Sequence, residues 1–315
     1  MLLEHLAFAL GIVAPIFLVL VVGIVLRRQG VIDEAFINTA SRLVFNLALP
    51  ALIFVNLAGL ELSDVVEPAQ LLLALAVTVI GFVILWHLSG AFIPEPENRG
   101  TFVQGAFRGN LGIVGIALCA NLYGQAGLAM GSMLLAVLTL AYNLLSIYAL
   151  SAGRGSGAQA WLSMLRGIIR NPLILSILAG VSVAALGWQL PAILTKSLDY
   201  FAAMTLPLAL LCVGATITLG ALRHSSRLTL WAVLLKLVIL PGAYTGAALA
   251  WGFQGPALGT LFAMFAAPTA TVSYIMARAM GGNADLAANL VALTTLFSPL
   301  SLSLGLSLLS ALQLL

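Results

Sequence analysis

The chain has 315 residues, 62% of them apolar and 7% charged, with a formal net charge of +3. A water-soluble domain carries about 25% charged residues, so this composition, with a mean hydropathy of +1.14, excludes a soluble globular protein and reads as an integral membrane protein. Few basic residues cluster, and those that do sit at the ends of apolar segments, which argues against a nucleic-acid partner.

A span needs about 20 apolar residues, and ten segments approach that length: 6–26, 43–58, 68–91, 101–122, 126–150, 168–188, 197–220, 228–251, 256–279 and 286–313. The first, "MLLEHLAFALGIVAPIFLVLVVGIVLRR", carries Glu4 where a secretory leader has a basic region, so it is read as span 1 and not as a signal peptide. Span 2 contains Asn46, span 3 ends near His87, and span 5 holds Asn143. Between spans 5 and 6, residues 151–167 ("SAGRGSGAQAWLSMLRG") are rich in glycine and serine and read as a linker. Cys119 and Cys212 lie in apolar segments without ligand spacing and read as small core residues.

Every arginine, from Arg27 to Arg278, falls at or near the connections that follow spans 1, 3, 5, 7 and 9, while the opposite connections carry only Lys196. The positive-inside rule makes the arginine side cytoplasmic and puts both termini outside a multi-pass protein of the cell membrane. The linker divides the chain into residues 1–150 and 168–315. Pro15 and Pro50 are 35 residues apart, as are Pro172 and Pro207, and the two pairs are offset by 157. Five spans per half is an odd number, so the second half enters the membrane from the other side. The expected architecture is all-α, ten helices as a 5+5 inverted repeat, an arrangement typical of secondary transporters.

Pro268 interrupts "AMFAAPTATVSYIMA" in span 9, and the partner span 4, "TFVQGAFRGNLGIVGIALCANLYG", is weakened by Gly105, Gly109, Gly112 and Gly115. Matched interruptions in the two halves point to a binding site. Two half-helices would then start at mid-membrane from opposite sides, near Gly112 and near Thr269, each presenting unpaired N–H groups and a partial positive charge. Such ends suit a carboxylate. Asn110, Gly112, Pro268, Thr269, Thr271, Ser273, Asn143 and Lys236 are the candidate binding residues, Lys236 because it lies about nine residues into span 8. Arg108, Asn46 and His87 are supporting candidates, Arg108 being read as an anchor at the inner end of span 4.

All ten carboxylates (4, 33, 34, 61, 64, 67, 95, 97, 199 and 285) fall at span ends or in connections. Cation exchange of the usual kind needs a carboxylate at mid-membrane. Three scattered histidines without such a carboxylate assemble neither a metal site nor a catalytic constellation, so neither an enzyme nor a cofactor is expected. Sodium coupling through neutral oxygens, and an anion channel, stay open.

With these residues in view, the chain resembles the auxin efflux carrier family in its compact bacterial form. "NLALPALIFVNLA" is similar to that family's span 2, "FRGNLGIVGIAL" to its span 4 motif, and "RNPLILSILAG", "LPLALLCVGATITL", "LKLVILP" and "PTATVSYIMARAMGGNADLAANLVALTTLFSPLSL" extend the likeness to the C-terminus. The resemblance implies a fold shared with bile-acid-type carriers and sodium/proton antiporters, with spans 4 and 9 crossing. It implies a scaffold of spans 1, 2, 6 and 7 and a moving domain of spans 3–5 and 8–10, and small organic anions as substrates. A homodimer through the scaffold helices is a further expectation.

Overall fold

The computed structural model describes residues 2–59, 67–151, 172–217 and 226–315. Its regular structure is helical throughout. Helix α1 is Leu2–Arg28. The second span begins earlier than its apolar core, because Asp33 accepts a hydrogen bond from the Phe36 N–H and caps α2, Glu34–Leu43. A π-helical turn, Val44–Ala48, leads into α3, Leu49–Ala58. Then come α4 (Pro68–Phe92) and α5 (Pro96–Phe107), a π turn (Leu111–Gly115), and α6 (Ile116–Ser151). The second half holds α7 (Pro172–Ala185), α8 (Ala192–Thr216), α9 (Arg227–Leu234), a π turn (Leu235–Ile239) and α10 (Leu240–Trp251). It ends with α11 (Gly255–Ala266), α12 (Val272–Ala279) and α13 (Ala284–Ala311). Pro68, Pro96 and Pro256 each stand in a first turn, where a missing N–H costs nothing.

Among the described residues seven helices are long and apolar enough to cross a membrane, where the sequence suggests ten spans. The difference has physical causes. By hydropathy Leu111–Ser151 is one run of 41 residues, yet Tyr123 (φ −135°, ψ 16°) and Gly124 (φ 57°, ψ −132°) leave helical geometry. A Cβ on Gly127 would lie 2.8 Å from the Cys119 carbonyl carbon, whereas eight residues on a straight helix separate by about 12 Å. The chain therefore doubles back at Gly124, using a positive φ that glycine supplies without strain. Expected span 9 is cut into pieces of 12 and 8 residues, and α7 contributes 14 described residues to span 6. The linker expected at 151–167 lies, beyond Ser151, outside the described residues.

Small residues let the helices approach closely, as is usual where lipid removes the hydrophobic drive to associate. A Cβ on Gly23 of α1 would sit 3.1 Å from the Ala215 N of α8, and one on Gly214 would sit 2.8 Å from the Leu20 carbonyl carbon. Helix ends are tied in pairs. At one end Gln70 Nε2 donates to the Ala257 carbonyl and to Thr260 Oγ1, both at 2.9 Å, and His5 Nδ1 lies 2.9 Å from Ser310 Oγ. At the other, Asn283 Nδ2 donates to Asn98 Oδ1 at 2.8 Å. The side chains of Phe107, Lys236 and Phe265 are among the largest that are fully buried.

Candidate functional site

Helix α5 stops at Phe107, because Arg108 (φ −82°, ψ 104°) is extended. Helix α11 stops at Ala266, because Ala267 (φ −56°, ψ 138°) takes the extended form that a following proline imposes. Both half-helices have 12 residues. Their extended ends lie antiparallel, with Gly109 opposite Thr269. The Asn110 N–H donates to the Pro268 carbonyl at 2.7 Å and the Ala270 N–H to the Arg108 carbonyl at 3.1 Å. Thr269 adds two bonds: its N–H donates to Thr294 Oγ1 at 3.0 Å, and its Oγ1 donates to the Gly105 carbonyl at 2.7 Å. Several donors that the sequence offers to a ligand thus hold one break against the other.

Other groups remain unengaged. The first intrahelical bonds after the span 4 break run from Val114 and Gly115 to the Asn110 carbonyl, both 3.1 Å. The N–H groups of Leu111, Gly112 and Ile113 precede them and have no helical partner. Asn110 is 5% exposed, and its Nδ2 is buried without a hydrogen-bond partner. Across the pair, Thr271 starts α12 without a side-chain cap, and Ser273 Oγ is buried and unpaired.

Arg108 sits at the break itself, not at the inner end of a span, because α5 has already run from Pro96. Its Nη1 donates to the Tyr142 carbonyl at 3.2 Å and to Ser146 Oγ at 3.0 Å, and its Nη2 donates to Asn143 Oδ1 at 2.8 Å. These partners are neutral. The ion pair of Arg27 with Glu34, at 3.7 Å, lies elsewhere. Burying a cation on neutral acceptors is costly, and a bound anion would offset that cost. Ser146, Tyr142 and Thr294 carry no sequence signal that singles them out, since serines and threonines in apolar helices more often bond their own backbone.

A cavity of about 1160 Å³ opens onto this arrangement. Arg108, Asn110, Gly112, Thr271, Asn143 and Asn46 line it, as do Arg27 and Glu34, where α1 leads into α2, and Arg42 in the last turn of α2. Pro268, Thr269, Ser273 and Lys236 do not line it. Lys236 is 2% exposed and donates from Nζ to the Phe265 carbonyl at 3.0 Å. His87 is exposed on α4, next to the Trp86 ring that Arg99 covers at 3.9 Å, and is not part of the site. Among the described residues no group of histidines, cysteines and carboxylates gathers to hold a metal.

Backbone N–H groups at a helix start, an unpaired carboxamide and a guanidinium without a counter-ion are each groups that can hydrogen-bond an anion. A protein of Rhizobium meliloti named "Putative malonate transporter" is 25% identical over 294 residues, covering 91% of this chain and 92% of its own. An "Uncharacterized transporter" of Methanothermobacter thermautotrophicus is 25% identical over 295 residues, 93% of this chain and 95% of its own. The transporter YfdV of Escherichia coli K12 is 22% identical over 245 residues, 75% and 77% of the two chains. The membrane transport protein family, Mem_trans, matches residues 8–306, and the chain belongs to it, the family of the auxin efflux carriers.

Proposed function

We propose that this protein is a secondary transporter of small organic anions, with dicarboxylates of malonate size foremost, and that the anion binds where the breaks after α5 and α11 meet. One observation carries the reading: Asn110, whose Nδ2 is orphaned, Leu111–Ile113, whose N–H groups have no helical partner, and Arg108 line a single cavity. One carboxylate would take the helix start and Asn110, and the other would take Arg108. The name of the Rhizobium meliloti relative points the same way.

The rest of the reading follows from the pairing of the breaks. Two half-helices of equal length, each opened by a proline and closed by an extended stretch, are what two inverted five-span repeats would contribute. The doubling back at Gly124 supplies the separation of spans 4 and 5 that such a repeat needs. Spans 1, 2, 6 and 7 would form a scaffold against which spans 3–5 and 8–10 carry the anion across in an elevator-type movement. In this structure the cavity runs toward Arg27 and Arg42, so the positive-inside orientation makes it a state open to the cytoplasm.

Thermal melting of the purified protein tests the site. Malonate, malate and succinate should raise the midpoint by several degrees at concentrations about 100-fold above their Kd, acetate less, and malonamide, which lacks charge, not at all. A malonamide shift equal to that of malonate, or no shift with any carboxylate, would overturn the reading. In proteoliposomes, uptake that saturates and is accelerated by anion on the far side marks a carrier. Flux without such acceleration marks a channel.

A further inference from the structure

Lys236 is the charged side chain that the anion site leaves unused. It lies in the π turn Leu235–Ile239 of span 8, and its Nζ reaches the Phe265 carbonyl at 3.0 Å. Phe265 is the last residue but one of α11, so that carbonyl is one of the four that a helix end leaves without a helical partner. It also carries the negative end of the half-helix dipole. The same Nζ lies 3.2 Å from the position a Cβ would take on Gly109, and the Met264 carbonyl lies 3.4 Å from that position. Glycine at 109 leaves the room that lets the lysine head lie against both breaks at once. The partner of Nζ is thus a helix-end carbonyl, Lys236 does not line the cavity, and among the described residues no carboxylate pairs with it.

The carbonyl end of a broken helix is the setting in which a small monovalent cation binds in a carrier. We infer that Lys236 is the built-in counter-cation of the crossing, its ammonium filling a position at the back of the two breaks that a monovalent cation would otherwise take, so that anion binding at the front requires no alkali metal there. Lys236 is in this sense a positioning residue: it holds the end of α11 beside Gly109, and these set the geometry of Asn110. The inference rests on the crossing being the anion site, but the charge it assigns to Lys236 can be tested apart from that.

The unmodified protein gives the first arm. At constant ionic strength its melting midpoint, and the malonate shift, should be the same in sodium, potassium and choline chloride. A malonate shift that needs sodium overturns the inference. The second arm needs no anion. Lys236→Ala should melt lower by about 3–6 °C, and ammonium or methylammonium should restore most of the loss with a saturating dependence, whereas choline, too large for the vacancy, should not. Lys236→Met fills the space without the charge and should stay low in every salt. If no cation restores Lys236→Ala beyond choline, or if Lys236→Met responds equally, the lysine is packing and not a counter-cation. Should malonate fail to shift the wild type in any salt, the anion reading falls while the methylammonium titration still decides the role of Lys236.

Discussion

Arg108 and Asn110 flank one glycine, and their surroundings give them separable roles. The guanidinium is held on three neutral acceptors from α6, while the carboxamide has a donor with no acceptor at all. Arg108→Gln keeps a hydrogen-bonding side chain but removes the charge. Since a hydrogen bond to a charged group contributes about 1.5–3 kcal/mol, malonate affinity should fall roughly 10- to 150-fold while acetate affinity changes little. Equal losses for the two would place Arg108 outside the contact with the second carboxylate. Asn110→Ala removes an unpaired buried donor, so the ligand-free protein should melt at the wild-type temperature or above, with affinity for mono- and dicarboxylates alike reduced about 5- to 100-fold. Asn110 was legible from its place beside glycines in a weak span. The depth of Arg108 was not, because the polar run "PEPENRG" hides a helix that starts at Pro96. Twelve residues of helix from there carry the chain about 18 Å.

At the scale of the element, proline is not what keeps span 9 broken. Its partner span 4 breaks at Gly109 with no proline in it, and both breaks are held by the bonds Asn110–Pro268, Ala270–Arg108, Thr269–Thr294 and Thr269–Gly105. Four net contributions of about 1 kcal/mol each stand against roughly 3 kcal/mol for restoring a helical residue in place of proline. Pro268→Ala alone should therefore keep the break, with malonate affinity within about threefold of wild type, a factor worth less than 1 kcal/mol. Thr269→Val loses the Oγ1 bond to Gly105, and only the pair Pro268→Ala with Thr269→Val should let α11 and α12 join and abolish the malonate shift. Binding lost in Pro268→Ala by itself would show that the ring and not the bridge sets the geometry. The sequence revealed the break in span 9 because proline is an unambiguous breaker. It could not reveal the bridge, which is made of main-chain groups, or the π turns, which have no residue signature. The offset of 157 between the outer prolines sets Leu111 against Pro268, whereas the bridge pairs Gly109 with Thr269.

For the molecule as a whole, the elevator reading sets α1 in the scaffold and α13 in the moving domain, yet the two helices are tied together. His5 Nδ1 lies 2.9 Å from Ser310 Oγ, and Ser307 Oγ donates to the His5 carbonyl at 3.3 Å. Asn121 Nδ2 donates to the Ile12 carbonyl of α1 at 2.9 Å from the same side. These contacts lie at the N-terminal end of α1, whereas the cavity opens toward its other end at Arg27. A second cleft of about 700 Å³, lined by Asn56, Gln125 and Asp199, lies between α3, α6 and α8. Leu49, at the start of α3, packs on the break after α5, its Cδ2 being 3.2 Å from where a Cβ on Gly112 would stand. If the moving domain slides so that the anion reaches the second cleft, the ties at His5 and Asn121 must part. Replacing His5 and Ser310 by cysteine in a protein freed of Cys119 and Cys212, and joining them with a short thiol-specific reagent, should stop anion exchange in proteoliposomes. Reduction of the link should restore it. The malonate-induced thermal shift should survive in the linked protein, because the cavity toward Arg27 stays open and the Arg108–Asn110 site stays formed. Undiminished exchange in the linked protein would mean that α1 and α13 move as one body, and the division into scaffold and moving domain would have to be redrawn.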